Sequence, residues 1–456
     1  MSAPESTSAP ASKGPALART MGLGALIIYG VGDMLGSGIY ALIGKAAGVM
    51  GNAVWLAFAA SMVAALLTGL SYASLGSRHP RAAGIAYIAQ RAFGWPFLSY
   101  LLGLAVVASG LTSMATQSRA FAGYFLGVLG HATASPLATS LTVVAFIGVL
   151  TFINCWGMRE STWLNLICTT VEVAGLVLII AAGVRFWGGE INYLETPAGP
   201  AGGGLTFPLV LTGAVLTFYS FVGFEDMLNV TEEVKDPARN FPIAVLAALG
   251  ITTLIYVAVA ITAVSVVPHA ELARSGQPLV EVARRAAPWF PSAAFSFVAL
   301  FAITNTALLN YIMGSRLVYG LARQGLVPQP LGAIHPTRRT PQRAIFALLV
   351  IVLVLALSGN ISQLASATSV LLLAVFVVVN ASLIMLKLRP GEAPGRFEVP
   401  IFVPAAGMLV CGVILFHAQT AALLTAAALL SGIALLYFVM RPRNIAAPVE
   451  AASDPE

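Results

Sequence analysis

The chain has 456 residues, 58% of them hydrophobic and only 9% charged, with a mean hydropathy of +0.88. Soluble proteins run at roughly 45–50% apolar and 25% charged, so the composition excludes a soluble enzyme or binding module and points to an all-α polytopic membrane protein. The net charge of +6 is not read as nucleic-acid binding, because in such a chain the basic residues sort by loop.

Residues 1–18 begin with a Ser-, Ala- and Pro-rich stretch that has no apolar core. They read as a disordered cytoplasmic tail rather than a cleaved signal, and residues 441–456 read as a second tail. Between them lies one transmembrane domain, 19–440. Twelve apolar runs of about 20 residues or more fit helical spans, near 21–45, 50–75, 97–128, 138–157, 163–187, 206–234, 241–267, 293–322, 342–358, 364–388, 399–418 and 420–440. An even count puts both termini on one side. That side then holds most of the basic residues, including Arg78, Arg81, Arg91, Arg338, Arg339 and Arg343, while the other keeps Lys45, Arg185, Arg274, Arg284 and Arg285. The bias places both termini in the cytoplasm of a cell inner (plasma) membrane.

The first run breaks the rules of an apolar helix. Ile27 to Gly44 reads IIYGVGDMLGSGIYALIG, with four glycines between Gly30 and Gly38, a serine and Asp33. Each interior glycine costs a helix roughly 1 kcal/mol relative to alanine, and unpaired backbone in hydrocarbon costs several more, so a break here should line a cavity. A helix opening at Gly36-Ser37-Gly38 aims bare N–H groups and a positive dipole at a carboxylate. The carbonyls ending the preceding half, around Met34, suit an ammonium group or cation. Close packing alone, with Gly32 and Gly36 at GxxxG spacing, is the bland alternative; it explains neither Asp33 nor the second break described below.

Further along, the segment after the second span, with Arg78, Pro80, Arg81 and Gly84, predicts a short cytoplasmic helix. Arg119, inside the third run, either snorkels to the outer interface or pairs with an intramembrane acid. Glu172, in LICTTVEVAGLVLII, has no lysine or arginine within two helical turns, so it should be protonated and hydrogen-bonded, paired or functional.

The sixth run, VLTGAVLTFYSFVGFEDMLNV, is interrupted too, with aromatic residues around Ser220 and Gly223 and then Glu225 and Asp226. A second break at the corresponding place in the second half is the pattern of an inverted-repeat transporter, with repeats at about 21–187 and 206–388 and extra helices at about 399–440. Glu225 and Asp226 alternatively form a structural pair tied to helix ends. Between the seventh and eighth runs, HAELARSGQPLVEVARRAAPWFP predicts an amphipathic external helix. Cys155, Cys168 and Cys411 sit singly in apolar segments and read as packing residues; no metal site or cofactor is expected. No HExxH, GxSxG or P-loop motif appears, which argues against an enzyme.

Three stretches carry a likeness. Gly30-Val31-Gly32 through Gly36-Ser37-Gly38-Ile39-Tyr40, Phe218 to Glu225 with Glu232 to Pro237, and Ser315-Arg316 through Pro328 to Pro341 together resemble the amino acid–polyamine–organocation superfamily. Within it they are similar to bacterial amino-acid permeases of the cationic amino acid transporter type. The resemblance implies a five-plus-five inverted repeat with broken helices 1 and 6 plus two extra helices, and alternating access to an amino-acid site. It implies that Gly36, Ser37 and Gly38 bind the substrate carboxylate, that carbonyls at Met34, Tyr219, Ser220 and Val222 take the ammonium, and that Phe221 or a neighbouring aromatic acts as a lid. Two departures stand out: Asp33, where several relatives are small or apolar, and Glu172, where proton-coupled relatives carry a lysine. Asp33 and Glu172 are therefore expected to share a proton or cation, with Glu225 as a further coupling candidate; two nearby carboxylates cannot both stay ionised cheaply. Equally, extra acid around the clamp selects a cationic side chain or a polyamine. The expected function is secondary active amino-acid transport with protons as the coupling ion, or else exchange of cationic amino acids or polyamines; a channel or receptor-like scaffold is a third class.

Overall fold

The computed structural model describes residues 21–440 apart from 80–83, 131–134, 157–161, 190, 198–203, 324 and 339. Both expected tails, 1–18 and 441–456, lie outside the described residues.

Sixteen α-helices follow in chain order: α1 (Leu23–Leu35), α2 (Ser37–Met50), α3 (Val54–Arg78), α4 (Gly84–Phe93), α5 (Pro96–Val128), α6 (Pro136–Trp156), α7 (Thr162–Gly183), α8 (Phe207–Phe218), α9 (Pro237–Val266), α10 (His269–Arg274), α11 (Pro278–Ala286), α12 (Ser292–Arg323), α13 (Gln342–Ser358), α14 (Ile361–Leu388), α15 (Phe402–Phe416) and α16 (Thr420–Met440). Proline in the first turn starts α5, α8, α9 and α11, where its missing N–H costs nothing. Asn360 caps α14 by accepting from the Gln363 N–H at 2.9 Å. Apart from one isolated bridge between Met21 and Val234, the described residues pair no strands.

This is an all-helical, multi-span membrane protein. Each of the twelve apolar runs coincides with helix, but nine described stretches are long and apolar enough to cross a membrane, and the first of these, Gly38–Arg78, runs through α2 and α3 together. Three further apolar helices are short: α1 with 13 residues, α13 with 17 and α15 with 15. At 1.5 Å per residue, α15 is about 22 Å long against a hydrocarbon core of about 30 Å. The bundle is layered by burial. Some 67% of the apolar window is buried in α5 and α14 but only 6% in α16, so α16 presents Leu424, Leu435, Phe438 and Val439 to lipid.

The predicted short helix after the second span is α4, and its surroundings explain its position. Arg91 grips Glu392 with both Nε and Nη2, at 3.1 and 3.2 Å, and His79 meets the same carboxylate at 3.1 Å. Arg389 donates to the carbonyls of Arg91 and Ala92 at the end of α4. Glu398 joins Arg78 at 2.6 Å, Lys387 and the Gly395 N–H at 2.8 Å. Partial burial raises the Glu398 carboxyl, yet its hydrogen bonds from Arg78, Lys387 and Gly395 outweigh this and hold it at about 2, against an ordinary 4.5. Because the folded value is depressed, this contribution is complete above the ordinary carboxylate range and is lost as pH falls from there towards 2. Glu398→Gln is accordingly expected to cost roughly 1 kcal/mol near neutral pH, the scale of a partly exposed ion-pair network, and to flatten the acid limb of the melting temperature. Thermal melts of both proteins between pH 6 and about 3 measure it.

The segment between α9 and α12, expected as one external helix, forms two helices. Ser275, Gly276 and Gln277 separate α10 from α11, and α10 lies on the C-terminal part of α2, where Lys45 donates to the Ala273 carbonyl at 3.0 Å. The Arg119 Nη1 donates at 2.7 Å to the Ala356 carbonyl in the last turn of α13. A cation at a helix C-terminus satisfies carbonyls that have no partner in the helix.

Candidate functional site

The first rod is broken at one residue. α1 ends at Leu35, Gly36 adopts φ −33°, ψ −142°, and α2 restarts at Ser37 with no side chain capping its N-terminus. The expected opening over Gly36-Ser37-Gly38 is thus narrower: Gly36 is the joint, while Ser37 and Gly38 are the first residues of the second half. The Ser37 side chain lies outside the described residues. The second rod is opened more widely. α8 stops at Phe218, Tyr219–Phe221 form one 3-10 turn, Val222 is extended, Gly223 has φ 126°, and a 3-10 helix resumes over Asp226–Glu233.

The two breaks touch. A Cβ placed on Gly38 would lie 2.7 Å from the Ser220 Cα, and one on Gly223 would lie 3.0 Å from both the backbone carbon and the Cγ of Asp33. Glycine is needed at 38 for this approach, and at 223 for the positive φ as well. Gly32 and Gly36 do pack closely, against Thr169 on α7 and Thr306 on α12, so close packing and chain breakage occur together.

Tyr256 on α9, which the sequence reading passed over, joins the breaks from behind. Its hydroxyl bonds the Met34 carbonyl that ends α1 and, at 2.7 Å, the Ser220 carbonyl in the second break. Both carbonyls had been expected to face substrate. The sequence signal was a lone tyrosine within ITTLIYVAVAIT, ambiguous because buried tyrosines are common in packed helices. Phe221 is buried edge-on to Tyr256, with centroids 5.4 Å apart, and does not line the cavity; Tyr219 does.

Beside the breaks lies a small cavity of about 20 Å³, room for a water and well below the roughly 300–1,000 Å³ usual for ligand sites. Asp33, Met34, Gly38, Val222 and Gly223 line it from the breaks, together with Gln117 on α5 and Asn310 on α12. Among the described residues, no lysine, arginine or histidine lines it.

The acids fall into two groups. The charges acting on Asp33 are those of Asp226 and Glu225, and Glu225 accepts the Gly223 N–H at 3.0 Å. Glu172 lies buried on α7. α7 packs against α1, where Gly32 approaches Thr169, one turn before Glu172, while Asp33 approaches Gly223. Around Glu172, its own Oε1, Thr169 Oγ1 and the Tyr40 hydroxyl are buried with no hydrogen-bond partner.

A family model described as amino acid permease matches residues 22–445. The chain belongs to that family. The permease is 28% identical over 420 residues to the methylthioribose transporter of Bacillus subtilis, covering 89% of each chain. It is 25% identical to the branched-chain amino acid permease BcaP of the same organism, covering 87% of each. With mouse cationic amino acid transporter 4 it shares 30% identity over 81% of its own length and 60% of the relative's. The substrates in these names differ in charge and class, so relatedness alone does not set what the permease carries.

Proposed function

We propose that the permease is a secondary active amino-acid transporter of the plasma membrane, working by alternating access with proton symport. The observation that carries this reading is the meeting of two interrupted helices at Gly38 and Ser220, beside a cavity walled by Asp33 and Asp226. In it, the free N–H groups at Gly36, Ser37 and Gly38 hold the substrate carboxylate at a positive helix end. The acceptors at Tyr219 and Val222, with the second lone pairs of the Met34 and Ser220 carbonyls that Tyr256 leaves open, receive the ammonium, and Tyr219, the aromatic at the cavity wall, serves as the lid. Broken helices place opposite partial charges on one site, which suits a zwitterion.

Asp33, Glu172 and Glu225 are the coupling groups. A carboxylate that crosses between water-exposed and buried settings during the cycle takes up a proton in one state and releases it in the other. Twelve spans in a five-plus-five inverted repeat, with both termini cytoplasmic, complete the reading. The paired breaks and the basic residues of Arg78, Arg91, Lys387 and Arg389 on one face support it.

Purified protein in liposomes tests the mode. Symport predicts that an inward proton gradient drives accumulation of labelled amino acid and that collapsing the gradient abolishes it. Uptake that ignores the gradient and requires amino acid or polyamine inside the vesicle would replace symport by exchange.

A further inference from the structure

The part of the cavity wall supplied by α5 carries an unmet hydrogen-bond acceptor. Gln117 is 1% exposed, and its amide is oriented by a relay: Nε2 donates to Ser113 Oγ at 3.1 Å, and Ser113 Oγ meets the Tyr219 hydroxyl at 3.0 Å. Ser113 and Gln117 lie one turn apart on α5, so they share a face. With one of its two Nε2 hydrogens given to Ser113, Gln117 leaves Oε1 buried without a partner, in a residue that lines the cavity. A buried acceptor left unmade is expensive, and such groups in native sites await water or ligand. The same cavity is lined by the carboxylates of Asp33 and Asp226, by the Asn310 amide and, among the described residues, by no basic one. Thr306 Oγ1, which also lines it, donates to the Ala302 carbonyl of its own helix at 3.1 Å.

We infer that Gln117 Oε1 is the specificity-determining group for the substrate's side chain, and that it selects amino acids whose side chains end in N–H donors. The inference rests on the zwitterion clamp proposed above and adds which zwitterion fits. A terminal amide or a nitrogen cation completes the Gln117 acceptor. An aliphatic or thioether side chain of equal length leaves it unpaired, and a carboxylate sets acceptor against acceptor beside two acids. Discrimination of this kind is strong because the site, not the ligand, bears the unpaired group when the wrong substrate enters.

Thermal-shift titration of the purified full chain, with glutamine against methionine, lysine against norleucine, and glutamate as the acidic arm, tests it. The donor-bearing member of each neutral or cationic pair is expected to bind at least about tenfold more tightly, the scale of one buried hydrogen bond, and glutamate least well. Gln117→Leu is expected to collapse both ratios to within about threefold. Should that variant fail to give a monodisperse protein, Gln117→Glu decides, with lysine gaining on glutamine by about tenfold or more. Equal binding within the pairs, tight glutamate binding, or ratios unmoved by these substitutions overturns the inference while leaving amino-acid transport standing. Binding of no amino acid at all overturns the parent reading and this one with it.

Discussion

Gly38→Val is expected to abolish amino-acid uptake while leaving the protein inserted and monodisperse. The reason is local. A Cβ at 38 would sit 2.7 Å from the Ser220 Cα and 3.0 Å from its Oγ, so backbone, not a pliant side-chain tip, must give way. Valine adds two methyl groups with one strongly preferred rotamer in a helix, and the first turn of α2 must then move away from the second break by about 1 Å or more. A shift of that size costs on the order of 100-fold in a positioned site. Gly38→Ala, which carries the Cβ alone, should show a partial loss. Uptake of labelled amino acid, alongside gel filtration of fluorescently tagged protein, separates lost binding from lost folding. Wild-type affinity in the valine variant would remove α2 from the clamp.

Asp33→Asn is expected to uncouple transport from the proton gradient, with gradient-driven accumulation falling at least about tenfold while counterflow persists. Asp33 adjoins Gly223 and lies in the field of Asp226 and Glu225, a set of carboxyls that cannot all stay charged at once without heavy cost. The amide keeps the shape of the carboxyl and removes its ability to cycle a proton. Glu172→Gln should produce a parallel loss of pH dependence by another route, since Glu172 sits behind α1 with an unpartnered Oε1, beside Thr169 and Tyr40 groups that are also unpartnered. Because the two carboxyls occupy different surroundings, the double variant is expected to lose close to the sum of the two single effects on a free-energy scale. Initial rates across external pH 5.5 to 8, a window spanning the usual range of perturbed carboxylates, measure all three. A profile unchanged by either single substitution strikes that residue from the mechanism.

Both breaks were legible in the sequence because they contradict their own context: glycines, serines and carboxylates inside runs that hydrocarbon should keep apolar. The exact joint was not legible. Gly36, Ser37 and Gly38 are equivalent in propensity, and only the packing of Gly36 on Thr306 and of Gly38 on Ser220 separates the hinge from the helix start. Which groups each acid faces was not legible for a similar reason. Sequence spacing cannot say that Asp33 faces Gly223 while Glu172 faces Tyr40, since that depends on how α1 and α7 are rotated about their axes. Gln117 and Tyr256 passed unnoticed because one glutamine in a Ser- and Thr-rich helix, or one tyrosine in an aliphatic one, is ordinary until its partners are known. The single external helix became two because Ser275-Gly276-Gln277 lets the chain turn where Gly276 closes against Gly123.

Substrate protection of one introduced cysteine tests most directly whether the two breaks surround the transport site. With Cys155, Cys168 and Cys411 replaced, Val222→Cys places a single thiol on the cavity wall at the second break. A water-soluble thiol reagent is expected to label it, and a saturating mixture of the twenty amino acids to slow that labelling at least about tenfold, as occupancy of an enclosed ligand site requires. A thiol that never reacts, or reacts at the same rate with and without amino acids, would contradict the account.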